Sequence, residues 1–294
     1  MSYSKNQNQF LTGEQGGKAF SIMIAICVLL SFIVQSILLC FTSAKSFTYI
    51  AVCSIVSPIS ILLALIYLIK FNNCTYKALN IKKFDKTTPI LAVLLGIGMF
   101  CGLGFVNLAL NGFLQDLGVN VSSPNLILDN IWQFIFFIVA LAVLPAIMEE
   151  LFFRGLFLTS LNGQSVLSKT LIVGLFFALY HCNLGQFVYQ FIYGALLCLL
   201  TIYAKSVLPS VITHFLNNFV VILFTYLKIE INLFSPILIA VGLTCIATFL
   251  VVIVSKIKIS KQEKIKHSVK EVFIPYGILG VVICLLELIT VFLV

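Results

Sequence analysis

Long apolar runs separated by short polar segments repeat along the whole chain. A helix needs about 20 apolar residues to cross a bilayer, and nine runs are close to that length. They cover residues 19–41, 47–70, 89–114, 131–160, 168–184, 186–204, 207–227, 233–255 and 273–294. The alternating pattern of a membrane β-barrel is absent. The pattern therefore predicts helices, the other backbone arrangement that satisfies its own hydrogen bonds in lipid.

Two features of this pattern leave alternatives open. The fourth run is longer than a span requires, which predicts a tilted helix or one that is interfacial at one end. The short segment 182–186, which overlaps the ends of the fifth and sixth runs, is their sole break, so eight helices are the alternative to nine. The first run has about twenty apolar residues, more than the 7–15 of a signal peptide, and we interpret it as a retained helix. The predicted fold is an all-α, polytopic membrane helix bundle.

Composition and charge support a membrane protein and indicate its orientation. The chain is 61% hydrophobic and 10% charged, whereas soluble domains carry about 25% charged residues. The net charge is +8, but all lysines except Lys45 and Lys228 fall on one side of the membrane if the helices alternate in direction. The positive-inside rule then predicts a cytoplasmic N-terminus and an external C-terminus. A nucleic-acid partner is not expected, and the nine scattered cysteines are interpreted as small apolar core residues.

Five ionisable residues stand inside these runs in the middle of the chain: Glu149, Glu150, Arg154, His181 and His214. A charged residue at the centre of a membrane helix costs about 2.5–3.5 kcal/mol, so such residues are functional candidates by default. Arg154 is the sole arginine of the chain. Glu287, near the end of the last run, has no such companions, and we expect it to have a structural or polar-cavity role.

Spacing along the fourth helix separates the roles of its charges. Glu150 and Arg154 are four residues apart with the acid first, the favourable orientation for an ion pair. Glu149 points about 100° away from Glu150 and is left without a local partner. Pro145 cannot donate a hydrogen bond, so it should kink or loosen the helix just before the two acids.

The other polar residues lie at matching positions on two further helices. His214 and Asn218 share one helix face, and Phe177 lies one turn before His181. At about 1.5 Å per residue, Glu149, His181 and His214 reach similar depths near the middle of a bilayer core of about 30 Å. A glutamate, two imidazoles and an amide at one depth can activate water and stabilise an oxyanion. The structural alternatives are a Glu–Arg staple and histidines that bond backbone carbonyls.

Three motifs in this order resemble a known family. Residues 149–154 match EExxxR, residues 177–181 match FxxxH, and residues 214–218 match HxxxN. Together they resemble the CPBP family of intramembrane proteases, which includes type II CAAX prenyl endopeptidases and proteins related to bacteriocin self-immunity and lysostaphin resistance. The resemblance covers a four-helix core at 127–226. A cytoplasmic tail at 1–18 and three helices at 19–126 precede it, and two helices at 227–294 follow it.

The resemblance implies roles for individual residues. Glu149 is expected to activate water, with His181, His214 and Asn218 completing the catalytic site and Glu150, Arg154 and Phe177 supporting it. The family has been argued to be metal-dependent and also metal-free. Glu149, His181 and His214 are the expected ligands if a divalent metal such as zinc is used, although no HExxH motif is present.

The expected function is hydrolysis of a peptide bond in a membrane-associated peptide or protein. The abundance of lysine over arginine indicates an AT-rich bacterium, and so a bacterial plasma membrane. Because bacteria generally lack prenylated CAAX proteins, a bacteriocin, a peptide pheromone or another membrane peptide is the expected substrate. Membrane aspartates and the serine motif of other intramembrane proteases are absent from the runs. A proton- or ion-coupled transporter and a non-catalytic immunity protein are the alternatives. No oligomeric state is predicted.

Overall fold

A computed structural model describes residues 11–71, 76–119, 126–257 and 269–290. In these ranges the chain is helical and contains no β-strand. The apolar runs form helices that we number α1 to α9. Their bounds are α1 Gly13–Leu39, α2 Phe47–Phe71, α3 Thr88–Asp116, α4 Ile131–Leu161, α5 Val166–Tyr180, α6 Phe187–Ala204, α7 Leu208–Leu227, α8 Pro236–Lys256 and α9 Gly277–Thr290.

Seven of these helices are long and apolar enough to cross a membrane, whereas α5 and α9 are shorter. The predicted polytopic helix bundle is therefore confirmed. Large apolar side chains cover its outer faces; for example, Phe32 is 70% exposed and Ile237 76% exposed. Exposed apolar faces of this kind are rare in soluble proteins and fit contact with lipid. Lys5 and residues 258–268, which include four lysines and His267, lie outside the described residues.

Helix ends differ from the predicted bounds where local hydrogen bonds decide them. Helix α1 begins at Gly13, not at residue 19, because Thr12 and Gln15 form a capping box, which satisfies two otherwise unpaired amides. Helix α5 ends at Tyr180, not at residue 184. A 3₁₀ turn over Leu184–Gln186 then leads into α6. The fifth and sixth runs are thus separate helices.

Small residues allow the outer helices to approach each other closely. Gly98 and Gly102 of α3 pack against α8, where a Cβ on Gly102 would lie 2.7 Å from the carbonyl carbon of Gly242. The sequence places these two glycines four residues apart, and small residues at that spacing favour tight helix packing in membranes. Helix α1 packs on α9 in a similar way, and the Ser21 hydroxyl bonds the Tyr276 carbonyl oxygen at 2.6 Å.

The centre of the bundle is a cluster of buried aromatic rings around one buried cation. Phe153, Phe157, Phe176 and Phe177 are at most 1% exposed. Arg154 is fully buried beside two of them, and its guanidinium carbon lies 5.8 Å from the centre of the Phe153 ring and 4.2 Å from that of the Phe177 ring. The rings shield this charge from lipid, so the carboxylates beside it can face the interior of the bundle.

Candidate active site

Helix α4 changes its geometry on both sides of the two glutamates. Its α-helical start is capped by Asn130, and a π-helical segment follows over Ile138–Val143. The segment Leu144–Glu150 is α-helical again, and Leu151–Leu156 forms a second π-helical segment. The loosening predicted just before the acids is confirmed. The second π segment was not expected from the sequence. Both segments lie beside the predicted site residues, and π-helical turns are frequent at functional sites.

Asn218 bonds the part of α4 that Pro145 leaves incomplete. In a regular α-helix the amide of residue 145 would donate to the carbonyl of Leu141, but proline has no N–H. The Nδ2 of Asn218 donates to the Leu141 carbonyl oxygen at 2.9 Å. The HxxxN segment of α7 therefore contacts the backbone of α4 about two turns before the acids.

The predicted pair of Glu150 and Arg154 is confirmed and extends to a third residue. Arg154 Nη1 donates to Glu150 Oε1 at 2.9 Å, and both side chains are fully buried. His214 Nδ1 lies 2.9 Å from the same carboxylate oxygen. Arg154 Nη2 also donates to the Gly194 carbonyl oxygen at 3.1 Å. Glu150 thus links the buried cation to a histidine of the predicted site, a contact that spacing within α4 could not show.

Just before His214, helix α7 is hydrogen-bonded to two neighbouring helices, α3 and α6. The Thr213 hydroxyl donates to the Ala92 carbonyl oxygen of α3 at 3.0 Å, and the Ser210 hydroxyl donates to the Leu197 carbonyl oxygen of α6 at 3.0 Å. The Tyr193 ring packs edge-on against the His214 ring, with 5.7 Å between their centres. These contacts leave His214 buried and restrict its rotation.

The sequence predicted His181 inside the fifth helix, but in the structure His181 lies at the C-terminal end of α5. It is the residue that follows Tyr180, and the positive φ of 44° at Cys182 turns the chain sharply after it. Helix α5 has 15 residues, about 22 Å of helix, which is shorter than a bilayer core of about 30 Å. The end of this short helix therefore places an imidazole in the interior of the bundle.

The hydrogen bonds of both histidines assign their tautomers. His181 Nδ1 lies 2.7 Å from the Phe177 carbonyl oxygen, which can only accept, so Nδ1 carries the hydrogen. His214 Nδ1 likewise faces the carboxylate of Glu150, which is paired with Arg154. In the neutral form of each ring, the Nε2 nitrogen is then the acceptor and is available to water or to a metal.

Glu149 faces both of these Nε2 nitrogens. Its Oε2 lies 4.0 Å from His181 Nε2 and 3.9 Å from His214 Nε2. The same oxygen is buried and has no hydrogen-bond partner among the described residues. The structure therefore brings together the three side chains that the sequence placed at one depth on three different helices.

Two sets of hydrogen bonds made by tyrosines were not anticipated. The Tyr189 hydroxyl donates to Asn217 Oδ1 at 2.9 Å, and Asn217 Nδ2 donates to Asn218 Oδ1 at 3.4 Å. On the other side of the site, the hydroxyls of Ser57 and Tyr180 are hydrogen-bonded to each other. Tyr189 and Tyr193 are four apart on α6, a spacing that could have indicated a shared inward face.

The residue types at this site are suitable metal ligands, but the distances between them are too long for one bound metal ion. Imidazoles that donate their other N–H to a carbonyl or carboxylate are typical of metal sites. Zinc binds nitrogen and oxygen at about 2.0–2.2 Å, which brings tetrahedral ligands to about 3.3 Å from each other. The separations of 3.9 and 4.0 Å are wider than that. Among the described residues, no group of three His, Cys, Asp or Glu side chains is arranged to hold a metal ion.

A cavity of about 800 Å³ opens onto one side of the site, and Glu149, Tyr180 and His181 line it. His214 is 3% exposed and lies behind Glu149, whereas the His181 side chain is 18% exposed. A substrate in the cavity would therefore meet Glu149 and His181 first.

With the geometry established, comparison with known proteins adds one finding. Residues 131–220 match the family described as Rce1-like, type II CAAX prenyl endopeptidase. This match confirms the predicted resemblance to the CPBP family. The matched core, residues 131–220, runs from the start of α4 into α7 and contains Glu149, His181, His214 and Asn218. No curated protein and no solved structure matches the chain.

The match and the fold together support a multi-pass membrane protease. Helices α1–α3, α8 and α9 lie outside the matched core. The match assigns no role to these helices.

Proposed function

We propose that this protein is an intramembrane endopeptidase in which Glu149 activates the attacking water. One observation carries the proposal: Glu149 Oε2 faces the Nε2 nitrogens of His181 and His214 at 4.0 and 3.9 Å. These separations are too long for a direct hydrogen bond. These distances fit a water molecule that bridges Glu149 and a histidine, since polar contacts beyond about 3.5 Å are commonly bridged by water.

The proposed reaction begins with proton transfer to Glu149. Glu149 takes a proton from water. At the same time, His181 Nε2 accepts a hydrogen bond from the remaining O–H group and so orients the water oxygen. The hydroxide adds to the scissile carbonyl carbon, and the carbonyl oxygen becomes an oxyanion. Protonated Glu149 then delivers its proton to the leaving nitrogen as the C–N bond breaks. A carboxylic acid and an amine are the products, and Glu149 returns to its carboxylate form.

His214 and Asn218 are the proposed donors to the oxyanion. Because His214 Nδ1 is bonded to Glu150, its Nε2 can donate only in the imidazolium form. Asn218 uses one amide hydrogen on the Leu141 carbonyl and retains a second for the oxyanion.

A divalent metal such as zinc remains the alternative for this site. Glu149, His181 and His214 would hold it, and it would supply a more acidic bound water. The side chains would then have to move closer together than their present 3.9–4.0 Å. Loss of activity on treatment with a chelator, recovered on adding zinc, would favour this alternative.

The deciding experiment is peptidase activity of purified protein in liposomes. We expect cleavage of membrane-bound peptides by the parent protein and cleavage at least about 100-fold slower after Glu149→Gln or His181→Ala. Full activity of both variants would overturn the proposal. The exposed acid Glu230, outside the site, offers the matched control Glu230→Gln, which should retain activity.

The proposed setting is a bacterial plasma membrane with a cytoplasmic N-terminus and a cavity that opens to the cytoplasmic half of the bilayer. The proposed substrate is a membrane-associated peptide, such as a bacteriocin or a peptide processed at the membrane. Cells expressing the parent protein should then survive a bacteriocin that kills cells expressing Glu149→Gln. Equal protection by both proteins would support a non-catalytic immunity function instead.

A further inference from the structure

A chain of three hydrogen bonds runs from α6 through α7 to the backbone of α4. The Tyr189 hydroxyl donates to Asn217 Oδ1 at 2.9 Å. Asn217 Nδ2 donates to Asn218 Oδ1 at 3.4 Å, and Asn218 Nδ2 donates to the Leu141 carbonyl oxygen at 2.9 Å. We call Tyr189, Asn217 and Asn218 the amide relay. It joins Tyr189, which has no part in the proposed reaction, to Asn218, a proposed donor to the oxyanion.

The backbone of α4 sets the direction of every bond in the amide relay. The Leu141 carbonyl can only accept, so the Asn218 amide presents Nδ2 to it. Asn218 Oδ1 then faces Asn217 and accepts from its Nδ2. Asn217 Oδ1 is thereby turned towards Tyr189, whose hydroxyl supplies the hydrogen. Pro145 makes this arrangement possible, because it has no N–H to occupy the Leu141 carbonyl.

Tyr189 owes its buried position to the turn between α5 and α6. A Cβ on Gly185 of this turn would overlap the side chain of Asn111 on α3, so the turn packs tightly against that helix. Tyr189 follows four residues later and is 6% exposed, and its partner Asn217 is also buried. Because solvent has little access to this contact, the Asn217 oxygen depends on Tyr189 for its hydrogen-bond donor.

We infer that Tyr189 is a positioning residue for the proposed reaction, which holds both asparagine amides so that Asn218 keeps a free N–H for the oxyanion. Without the hydroxyl, the Asn217 oxygen has no donor and its amide is free to turn over. The Asn217 oxygen would then face Asn218 Oδ1. Repulsion between the two oxygens would turn the Asn218 amide and replace its N–H at the oxyanion with an oxygen. This inference rests on the proposed function, in which Asn218 stabilises the oxyanion.

The first test is the effect of Tyr189→Phe on kcat and KM for a membrane-bound peptide in liposomes. We expect kcat to fall about fivefold, the worth of one ordinary hydrogen bond, while KM stays unchanged because the oxyanion exists only in the transition state. The matched control is Tyr203→Phe, which removes the hydroxyl of a half-buried tyrosine about 21 Å further along α6. It should change neither constant.

A double variant separates positioning from stability. Tyr189→Phe alone leaves the buried Asn217 oxygen unpaired and should lower the unfolding temperature. Tyr189→Phe combined with Asn217→Leu removes both partners and should unfold close to the parent temperature. This double variant should keep the fall in kcat, since Asn218 has still lost its neighbour in the relay. Recovery of kcat along with stability would overturn the inference. The double variant also provides the test if Tyr189→Phe does not fold.

The second test is the coupling between Tyr189 and Asn218. In protein that already carries Asn218→Ala, Tyr189→Phe should not lower kcat further, because the amide that it positions is gone. A purely structural effect of Tyr189 would not depend on Asn218 in this way. A further fivefold fall in kcat would overturn the inference, since Tyr189 would then act through another group.

Failure of the positioning role and failure of the proposed function give different results. If the parent protein cleaves no peptide, the proposed peptidase function fails. The positioning role is then measured by binding of a phosphinic peptide, whose anionic P–O group imitates the oxyanion. Tyr189→Phe should weaken this binding about fivefold and leave binding of the matching amide peptide unchanged. Equal binding of the phosphinic peptide to both proteins would overturn the inference. If the parent cleaves peptides and Tyr189→Phe matches its kcat, only the positioning role fails.

Discussion

The matched core and the helices that flank it contribute different side chains to one cavity. The core supplies Glu149 and His181, backed by the buried contacts of Glu150 with Arg154 and His214. The flanking helices α1 and α9 supply Gln35 and Glu287, which stand on the cavity wall. Under the proposed function, the core holds the reacting groups still, and the flanking helices contact the rest of the substrate.

This difference predicts that changes in the core affect kcat and changes in the flanking helices affect substrate selection. The largest effect is expected for Glu149→Gln, which removes the general base and should lower kcat by about 10²–10⁴-fold. Thermal unfolding in detergent should stay close to that of the parent, because Glu149 Oε2 makes no hydrogen bond among the described residues. A large fall in stability would instead mean that Glu149 holds the core together.

The next largest effect concerns Arg154. Arg154→Met leaves Glu150 as a buried carboxylate that has lost its cation, which should cost about 3–5 kcal/mol of unfolding free energy. The double variant Glu150→Gln, Arg154→Met removes that uncompensated charge and should recover part of the loss. Thermal unfolding of the single and the double variant measures the energetic coupling between Glu150 and Arg154. Equal stability of the two variants would contradict the prediction.

A smaller effect is expected for Asn218→Ala. The Leu141 carbonyl would lose its donor, which should cost about 1–3 kcal/mol of stability. Asn218→Asp, of nearly equal size but without the donating amide, should destabilise the protein similarly. If both variants lower kcat while thermal unfolding is unchanged, Asn218 acts on the oxyanion and its bond to Leu141 adds little to stability.

The smallest effect is expected for Gln35→Ala on the cavity wall. Loss of one exposed polar contact with substrate should raise KM by about two- to threefold and leave kcat unchanged. Thr248→Ala on the exposed face of α8 is a matched polar truncation outside the cavity and should change neither constant. A fall in kcat with Gln35→Ala would remove the distinction between the two regions.

The sequence predicted much of the candidate site because several of its contacts lie within one helix. Glu150 and Arg154, and Phe177 and His181, are neighbours through the periodicity of an α-helix, and both pairs are in contact. The catalytic roles of Glu149, His181, His214 and Asn218 remain predictions. The end of α5 at His181 was missed because an apolar run alone does not show where a buried helix stops.

By itself, the sequence determined the membrane class, the positions of the helices and the charges that pair along α4, because hydrophobicity and helical periodicity act over short distances. Only the tertiary structure decided that Glu150 reaches His214, that Asn218 bonds Leu141 and that Glu287 shares a cavity with Glu149. These contacts join helices far apart in the chain. They depend on how each helix is rotated and how closely small residues such as Gly280 let it approach its neighbours, which only the packing of the whole bundle determines.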